Sequence, residues 1–136
     1  MTQTILVPVD ISHQERFDGM IAAVKRIYEE GDRVIALHVV EDAPAFIRSQ
    51  IPEHLSENNR KQARESLEKL AETAGIPVEA KVVEGHAATA ILEAAGDEKV
   101  STIVIGSHKP GWEDYLIGST AARVVRHAAC SVYVIR

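Results

Sequence analysis

The sequence contains little of what marks a secreted, membrane-spanning or nucleic-acid-binding protein. Its single cysteine, Cys130, has no partner for an internal disulfide and suits a reducing compartment. No apolar run approaches the roughly 20 residues of a membrane span. Acidic residues outnumber basic ones by 20 to 15, and the formal charge of −5 disfavours a face for nucleic acid. We therefore expect a cytoplasmic protein with no membrane insertion and no nucleic acid partner.

A chain of this length can fold without a stabilising metal site or disulfide bond. The 136 residues are 46% apolar and 26% charged, an ordinary globular composition. Such a chain can bury a sizeable core in one domain, which we expect to span 1–136. The six histidines show no paired spacing of the kind that a zinc site uses, so no metal ligand is predicted.

Strand and helix patterns alternate along the chain. Apolar strand patterns occupy 4–10, 33–40, 78–84, 103–105 and 131–136. Helical patterns lie between them, after Ser12, over 53–74, over 88–95 and over 121–128. This alternation predicts an α/β fold with a single open, doubly wound sheet of five parallel strands and helices on both faces.

Several residues mark where these elements begin and end. Pro8 has no N–H to donate to a ladder, so we expect it near the end of the first strand. Ser12 and Glu15 have the spacing of a capping box, which predicts a helix start. Glycines are expected to close the helices, at Gly31, at Gly75 and near Gly96. The segment 41–53 is predicted to be a long loop, either a lid or partner surface or a plain solvated connection.

The stretch from Val100 to Thr120 is the strongest candidate for a binding site. An apolar run stops at Gly106, and a polar loop leads to Gly118 and Ser119 at the start of the last helix. Glycines and hydroxyls at a helix start present N–H and O–H donors to an anion, which points to a phosphate-bearing ligand. The alternative is an ordinary strand-to-helix connection with Ser119 as the helix N-cap.

A carboxylate, Asp10, follows the first strand. Ligands of open α/β sheets bind beyond the carboxyl ends of the strands, where the strand order reverses. If the first and fourth strands are neighbours, Asp10 and Gly106 meet at that crevice.

Two common phosphate motifs are absent. The glycine spacing of 106–111 is that of a P-loop, but Trp112-Glu113 replaces Lys-Ser/Thr, and no Gly-x-Gly-x-x-Gly follows a strand.

Six segments together resemble the universal stress protein family, in particular its short bacterial nucleotide-binding members. They are Ile5-Leu-Val-Pro-Val-Asp10-x-Ser12, Leu37-His-Val39, Val83-Glu-Gly85, Ile103-Val-Ile-Gly-Ser-His108, Leu116-Ile-Gly-Ser119 and His127-Ala-x-Cys-Ser-Val132. The resemblance covers the whole chain and implies one universal stress protein domain over 1–136. It also implies a Rossmann-like, adenine-nucleotide-binding sheet with strand order 3-2-1-4-5.

Many members of that family bind ATP through Gly-x2-Gly-x9-Gly-Ser/Thr, and this chain matches the motif in part. Gly106 and Gly118-Ser119 fit the motif. Lys109 stands in place of the second glycine, and the segment to the last glycine is one residue short. The lysine adds a cation beside the phosphates, but its side chain can block the close backbone approach that glycine allows.

The resemblance implies that the adenine slot is walled by Val9, Val39 and Ile105, next to Pro8. Backbone groups near Val39 would read the edge of the base, and the three wall side chains would also belong to the core. Asp10 would face the ribose or a phosphate-bound Mg2+. The alternative for Asp10 is a carboxylate that stabilises the turn after it.

The resemblance also implies the phosphate contacts. The phosphates would lie along residues after the fourth strand and at the start of the last helix, namely Gly106, His108, Lys109, Gly118, Ser119 and Thr120. His108 would donate to a phosphate or act as an acid or base, and the alternative is a hydrogen bond within its own loop. The implied ligand is ATP, or else ADP or AMP, with Mg2+ as a companion of the phosphates.

The last strand, 131–136, carries the partner prediction. Its residues are mostly apolar, and we expect it to be an edge strand of the sheet. An exposed edge strand of that kind is normally paired or protected. The resemblance implies a homodimer through this strand.

We expect a stress-response regulatory module whose nucleotide occupancy is read by partner proteins. No activated nucleophile or base is evident, so no catalytic residue is assigned. The alternatives are an interaction protein without nucleotide and a slow ATP hydrolase or nucleotidyl-transfer domain that uses Asp10, His108 and Mg2+.

Overall fold

The chain folds as strands and helices that alternate around one sheet. The computed structural model describes residues 2–41, 50, 53–107 and 117–136. The strands are β1 (Thr4–Pro8), β2 (Arg33–Val40), β3 (Glu79–Glu84), β4 (Thr102–Gly106) and β5 (Ser131–Ile135). The helices are a 3-10 helix (Ile11–Arg16), α1 (Phe17–Ile27), α2 (Glu53–Glu72), α3 (Ala87–Asp97) and α4 (Ser119–His127). Pro8 is the last residue of β1, as predicted, and most of the predicted loop 41–53 lies outside the described residues.

The sheet has five parallel strands in the order β3-β2-β1-β4-β5. This confirms the predicted fold class and strand order. β1 pairs with β2 on one side, where Ile5 lies opposite Val34, and with β4 on the other, where Ile5 lies opposite Thr102. The chain moves outward in one direction from β1 and in the other from β4, so the order reverses between these two strands. A crevice at their carboxyl ends follows from that reversal.

Each face of the sheet packs against helices. Successive residues of a strand point to opposite faces, so Ile5 and Val7 enter one core and Leu6 enters the other. The core beneath α1 and α2 includes Phe17, Val24, Leu67 and Val104. The core beneath α3 and α4 includes Ile35, Ile91, Ile103 and Val124. In the part of the chain that the structure describes, no helix is long and apolar enough to cross a membrane.

The predicted capping box at Ser12 and Glu15 is wrong. The residues after β1 form the 3-10 helix, whose N-cap is Asp10, and α1 begins only at Phe17. The Asp10 carboxylate oxygen Oδ1 accepts a hydrogen bond of 2.9 Å from the backbone N–H of Ser12. Asp10 precedes Ser12 and satisfies an N–H at the start of the turn, so the cap lies earlier than the spacing predicted.

The predicted end of the first helix also differs from the structure. α1 ends with Tyr28 as its C-cap, and Gly31 lies beyond it in the turn to β2 with a φ of +95°. α3 ends at Asp97, one residue past Gly96 and so close to its predicted end, and the positive φ after that helix belongs to Lys99, at 52°. Gly31 therefore serves the turn and not the helix terminus, because a left-handed backbone there favours glycine.

The edge of the sheet formed by the amino ends of the strands, here called the amino edge, is held together by the buried carboxylate of Asp32. Its oxygens accept hydrogen bonds from the backbone N–H of Gln3 (3.0 Å), the side-chain amide of Gln3 (2.9 Å) and the backbone N–H of Glu29 (2.8 Å). These donors, the backbone of Gln3 first, lower the pKa of Asp32. The contacts tie the residue before β1 to the turn before β2.

A chain of ion pairs continues along the same edge. The Arg33 guanidinium donates to the carboxylates of Glu79 and Glu98, and Lys81 donates to Glu98 at 3.0 Å. Hydrogen bonds from Arg33 and then from Lys81 lower the pKa of Glu98. The charges at this edge are therefore matched to one another across β2, β3 and the end of α3.

Candidate functional site

A cleft of about 410 Å³ opens at the carboxyl ends of β1 and β4. This volume falls within the range of sites that hold small organic ligands. Every predicted site residue in the described part of the chain lines the cleft, namely Pro8, Val9, Asp10, Val39, Ile105, Gly106, Gly118, Ser119 and Thr120. His108 and Lys109 lie outside the described residues. The fold therefore brings together the ends of β1, β2 and β4 and the start of α4.

The floor of the cleft is apolar. Val9 and Ile105 are only 6% and 4% exposed, and they lie in the two cores on opposite faces of the sheet. Val39 is half-buried at the end of β2, and Ile91 of α3 closes the wall behind it. A flat apolar ring can bury its surface against such side chains, since each Å² of apolar area removed from water contributes roughly 25 cal/mol.

The ends of β1 and β2 are joined by two hydrogen bonds at this floor. The backbone N–H of Val9 donates to the carbonyl of Leu37 at 2.8 Å. The Nδ1 atom of His38 lies 3.0 Å from the carbonyl oxygen of Val9. The half-buried side chain of His38 therefore has a hydrogen-bond partner within the sheet.

Asp10 stands at the rim of the cleft with a side chain that is 59% exposed. Its Oδ1 atom accepts from the N–H of Ser12, which is the capping alternative named for it above. Its Oδ2 atom lies 4.0 Å from Nε2 of His13. A carboxylate has about four acceptor positions, so capping leaves Asp10 with further capacity toward a ligand.

His13 and Arg16 also line the cleft, and the sequence reasoning did not select either of them. Both belong to the 3-10 helix, and the Nδ1 atom of His13 lies 3.4 Å from Oε1 of Glu15. An α-helix from Ser12, as predicted, would place these side chains differently. The available signal was their position just after Asp10, at the carboxyl end of a strand beside the reversal.

The start of α4 forms the polar wall of the cleft. Gly118 is the N-cap, with extended backbone and no side-chain hydrogen bond, so the alternative with Ser119 as N-cap is wrong. Ser119 and Thr120 are the first residues of the helix. The N–H groups of a first helical turn have no acceptor within their own helix. They carry partial positive charge, which favours an anion at this wall.

Ser107 holds the polar wall in place, and the sequence reasoning missed it. It is 4% exposed, and both its N–H (2.9 Å) and its hydroxyl (3.1 Å) donate to the carbonyl of Ile135. Its own carbonyl accepts from the N–H of Gly118 at 2.9 Å. A Cβ added at Gly118 would lie 3.3 Å from that carbonyl oxygen, so the close approach favours glycine.

Cys130 does not contribute to this site. Burial raises the pKa of its thiol, and the side chain packs against the core beneath α3 and α4. Cys130 therefore acts as a small packed apolar residue. Across the described ranges, no three His, Cys, Asp or Glu side chains are grouped so that they could hold a metal ion.

Three comparisons relate this architecture to known proteins. The hypothetical protein MJ0577 superposes with a TM-score of 0.80 at 26% identity, covering 99% of this chain and 96% of that one. The crystal structure of a universal stress protein in complex with cAMP superposes with a TM-score of 0.59 at 26% identity, with 98% and 96% coverage. Universal stress protein MJ0531 of Methanocaldococcus jannaschii is 32% identical over 142 residues, which cover 97% of this chain and 81% of the relative.

The family model agrees with these similarities over the full length. The model described as the universal stress protein family matches residues 1–136. The resemblance drawn from the sequence segments is thereby confirmed. The chain belongs to the universal stress protein family.

Proposed function

We propose that this protein binds an adenine nucleotide in the cleft between β1 and β4, and that nucleotide occupancy is its regulatory signal. The observation that carries the proposal is the pairing of an apolar floor with a helix start in one cleft at the strand reversal. A family member that is 26% identical was crystallised with cAMP, an adenine nucleotide. ATP is the proposed ligand, with ADP and AMP as the shorter alternatives.

The base is proposed to lie on the apolar floor. Val9 and Ile105 provide buried surface below it, and half-buried Val39 provides a side wall. Val39 and Glu41 at the end of β2 line the same cleft, and their backbone groups would read the edge of the base. Pro8, the last residue of β1, contacts the cleft without an N–H of its own.

The phosphates are proposed to lie at the opposite, polar wall. Gly106 at the end of β4 and Gly118 at the start of α4 allow a close approach, and Ser119 and Thr120 add hydroxyl and N–H donors. His108 and Lys109 come after Ser107, which follows β4, and we assign both to the phosphate side. A lysine in that position supplies charge where the family motif has glycine.

Asp10 is proposed to face the ribose or a Mg2+ ion carried by the phosphates. It is a single carboxylate at the rim, and Mg2+ is commonly held by one or two carboxylates together with phosphate oxygens and water. No protein cage is needed for such an ion. The residues present therefore fit a metal that arrives with the nucleotide.

A regulatory role fits this site better than rapid turnover. Ser107 and Cys130, two potential nucleophiles near β4 and β5, are respectively hydrogen-bonded to Ile135 and packed in the core. We propose a cytoplasmic stress-response module that forms a homodimer through 131–136. In support, β5 is an edge strand whose apolar side chains are all half-buried, and such edges are normally paired.

Calorimetric titration of the nucleotide-stripped protein with ATP, with and without Mg2+, tests this proposal. We expect binding near one nucleotide per chain, weakened about tenfold or more by Gly118→Val, because the new side chain crowds the Ser107 carbonyl. Gly96→Val is the matched control, since Gly96 is exposed in α3 and lies outside the cleft. Sedimentation equilibrium of the same samples reports the dimer.

Absence of heat, together with an unchanged melting temperature at millimolar ATP, would overturn the nucleotide proposal. A ligand that binds the native state raises stability by RT ln(1 + [L]/Kd), so millimolar ATP would reveal even weak binding. The protein would then be an interaction module without nucleotide. Release of phosphate during the titration would instead support the slow hydrolase.

A further inference from the structure

The rim of the cleft beside β1 carries an imidazole that the proposed function does not use. His13 lines the cleft with a half-buried side chain, three residues after Asp10. The 3-10 helix is interrupted at this residue, where φ is −129° and ψ is 56°. His13 therefore stands at a bend of the chain on the border of the cleft.

Two hydrogen bonds fix the position of His13 relative to Asp10. The backbone N–H of His13 donates to the carbonyl of Asp10 at 3.0 Å. The N–H of Ser12 donates to Oδ1 of Asp10, which is the cap described above. The turn is also anchored on both sides, since Ile11 packs against the core beneath α1 and α2 and Phe17 is buried in it. The two side chains are thus held near each other by the fold itself.

The Nε2 atom of His13 and the Oδ2 atom of Asp10 are neighbours that do not form a hydrogen bond. They lie 4.0 Å apart, whereas a hydrogen bond between nitrogen and oxygen spans about 2.7–3.2 Å. On the other side of the ring, Nδ1 lies 3.4 Å from Oε1 of Glu15. An ionised carboxylate only accepts, so Glu15 favours hydrogen on Nδ1 of the neutral ring and leaves Nε2 as an acceptor. The rim therefore presents two acceptors side by side.

Two neighbouring acceptors match two neighbouring hydroxyl groups. The hydroxyls of a cis-diol lie on adjacent carbons, so each of them can donate to one of the two acceptors. A single hydroxyl has one hydrogen and cannot supply both. An ionised phosphate has no hydrogen to donate, and the carboxylate of Asp10 repels its charge. The rim therefore fits a sugar diol better than a phosphate.

The position of these two acceptors suits the ribose of a nucleotide bound in the cleft. Asp10 directly follows Val9 of the apolar floor, and the polar wall begins at Gly118. The ribose joins the base to the phosphates, so in the proposed arrangement it lies between the floor and the wall. Its hydroxyls can then reach the rim without displacing either end of the nucleotide.

We propose that Oδ2 of Asp10 and Nε2 of His13 accept hydrogen bonds from the two hydroxyls of the ribose, so that the cleft selects ribonucleotides over deoxyribonucleotides. His13 determines this specificity because it supplies the second acceptor. The inference rests on the proposed function, since it needs the base on the apolar floor. It goes further by assigning Asp10 to the sugar and by adding His13 to the site.

Calorimetric titration of the whole chain with ATP, 2′-deoxy-ATP and 3′-deoxy-ATP, without Mg2+, tests the selection. We expect ATP to bind about tenfold more tightly than either analogue, which is the loss that one missing hydrogen bond causes. His13→Ala should weaken ATP by about the same factor and should no longer discriminate against one of the two analogues. His13→Gln, which keeps an acceptor, should recover part of the preference. His127→Ala is the matched control, because His127 is exposed in the last turn of α4 and does not line the cleft.

Three results would overturn the inference while nucleotide binding stands. The first is equal affinity of the unaltered protein for all three nucleotides, and the second is a loss in His13→Ala that is the same for all three. The third is a preference for ATP that appears only with Mg2+, because Asp10 would then act on the metal. If none of the nucleotides binds, the proposed function itself fails. The comparison on the unaltered protein needs no variant, so a folding defect in His13→Ala, detected by circular dichroism, leaves the test intact.

Discussion

The amino edge of the sheet and its carboxyl edge, which is formed by the carboxyl ends of the strands, use polar residues in opposite ways. At the amino edge, Asp32 accepts three hydrogen bonds, and Arg33 is matched to two carboxylates. At the carboxyl edge, Asp10 makes one cap and lies 59% exposed beside a cleft. Charges that bind one another stabilise the fold, whereas charges that border open space are available to a ligand.

This contrast shows why equally polar residues differ in what they report about function. A carboxylate whose acceptor positions are used by its own chain gains little from a ligand. A carboxylate at a strand end beside the reversal retains acceptor capacity and lies where open α/β sheets bind their ligands. Substitutions at the amino edge should therefore change stability alone, and those at the carboxyl edge should change binding.

The largest expected effect on stability is that of Asp32→Ala. It removes the acceptor for the backbone N–H groups of Gln3 and Glu29, leaving two donors unsatisfied where the side chain is only 8% exposed. We expect the melting temperature to fall by about 10 °C, measured by calorimetry, with ATP affinity unchanged. Asp97→Ala, at the exposed end of α3, is the control. A loss of ATP affinity in Asp32→Ala at a temperature where it is folded would contradict the separation of the two edges.

Asp10→Ala should show the converse behaviour. The variant loses the proposed contact to ribose or Mg2+, and we expect ATP to bind about tenfold more weakly in a calorimetric titration. The melting temperature should fall by less than in Asp32→Ala, because only the cap on Ser12 is lost. Ser12→Ala is the matched control, since it keeps the N–H that Asp10 accepts. Unchanged affinity in Asp10→Ala would leave this carboxylate with the capping role alone.

The smallest effect at ordinary pH concerns acid stability. Hydrogen bonds from Gln3 and Glu29 lower the pKa of Asp32 below its ordinary value of 3.8. A depressed folded-state pKa contributes stability that is complete above the ordinary value and is lost as the pH falls through the folded-state value. Melting temperatures measured from pH 7 to pH 2 should therefore fall more steeply for the unaltered protein than for Asp32→Asn. Parallel curves would show that Asp32 adds no pH-dependent stability.

The sequence was most informative where apolar residues recur with a regular period. The strand patterns predicted the parallel sheet, and all the predicted site residues that the structure describes line one cleft. Residues that act through backbone atoms were harder to recognise. Ser107 joins β4, β5 and α4 through hydrogen bonds, and those to Ile135 span 28 residues of sequence, so no local pattern reports such a contact. The Ser12–Glu15 spacing predicted a helix start that the Asp10 cap replaces.

The sequence by itself determined which segments are strands and helices, because burial on one face or two leaves a local period in the chain. Only the tertiary structure decided which polar groups are already satisfied. Asp10 and Asp32 look alike in sequence, as each adjoins an apolar strand pattern, yet one is exposed at a cleft and the other is enclosed by three donors. Arg16 and Arg136 lie far apart in the chain and line one cavity because β5 is paired beside β4. Such contacts depend on long-range packing, which produces no periodic pattern in the sequence.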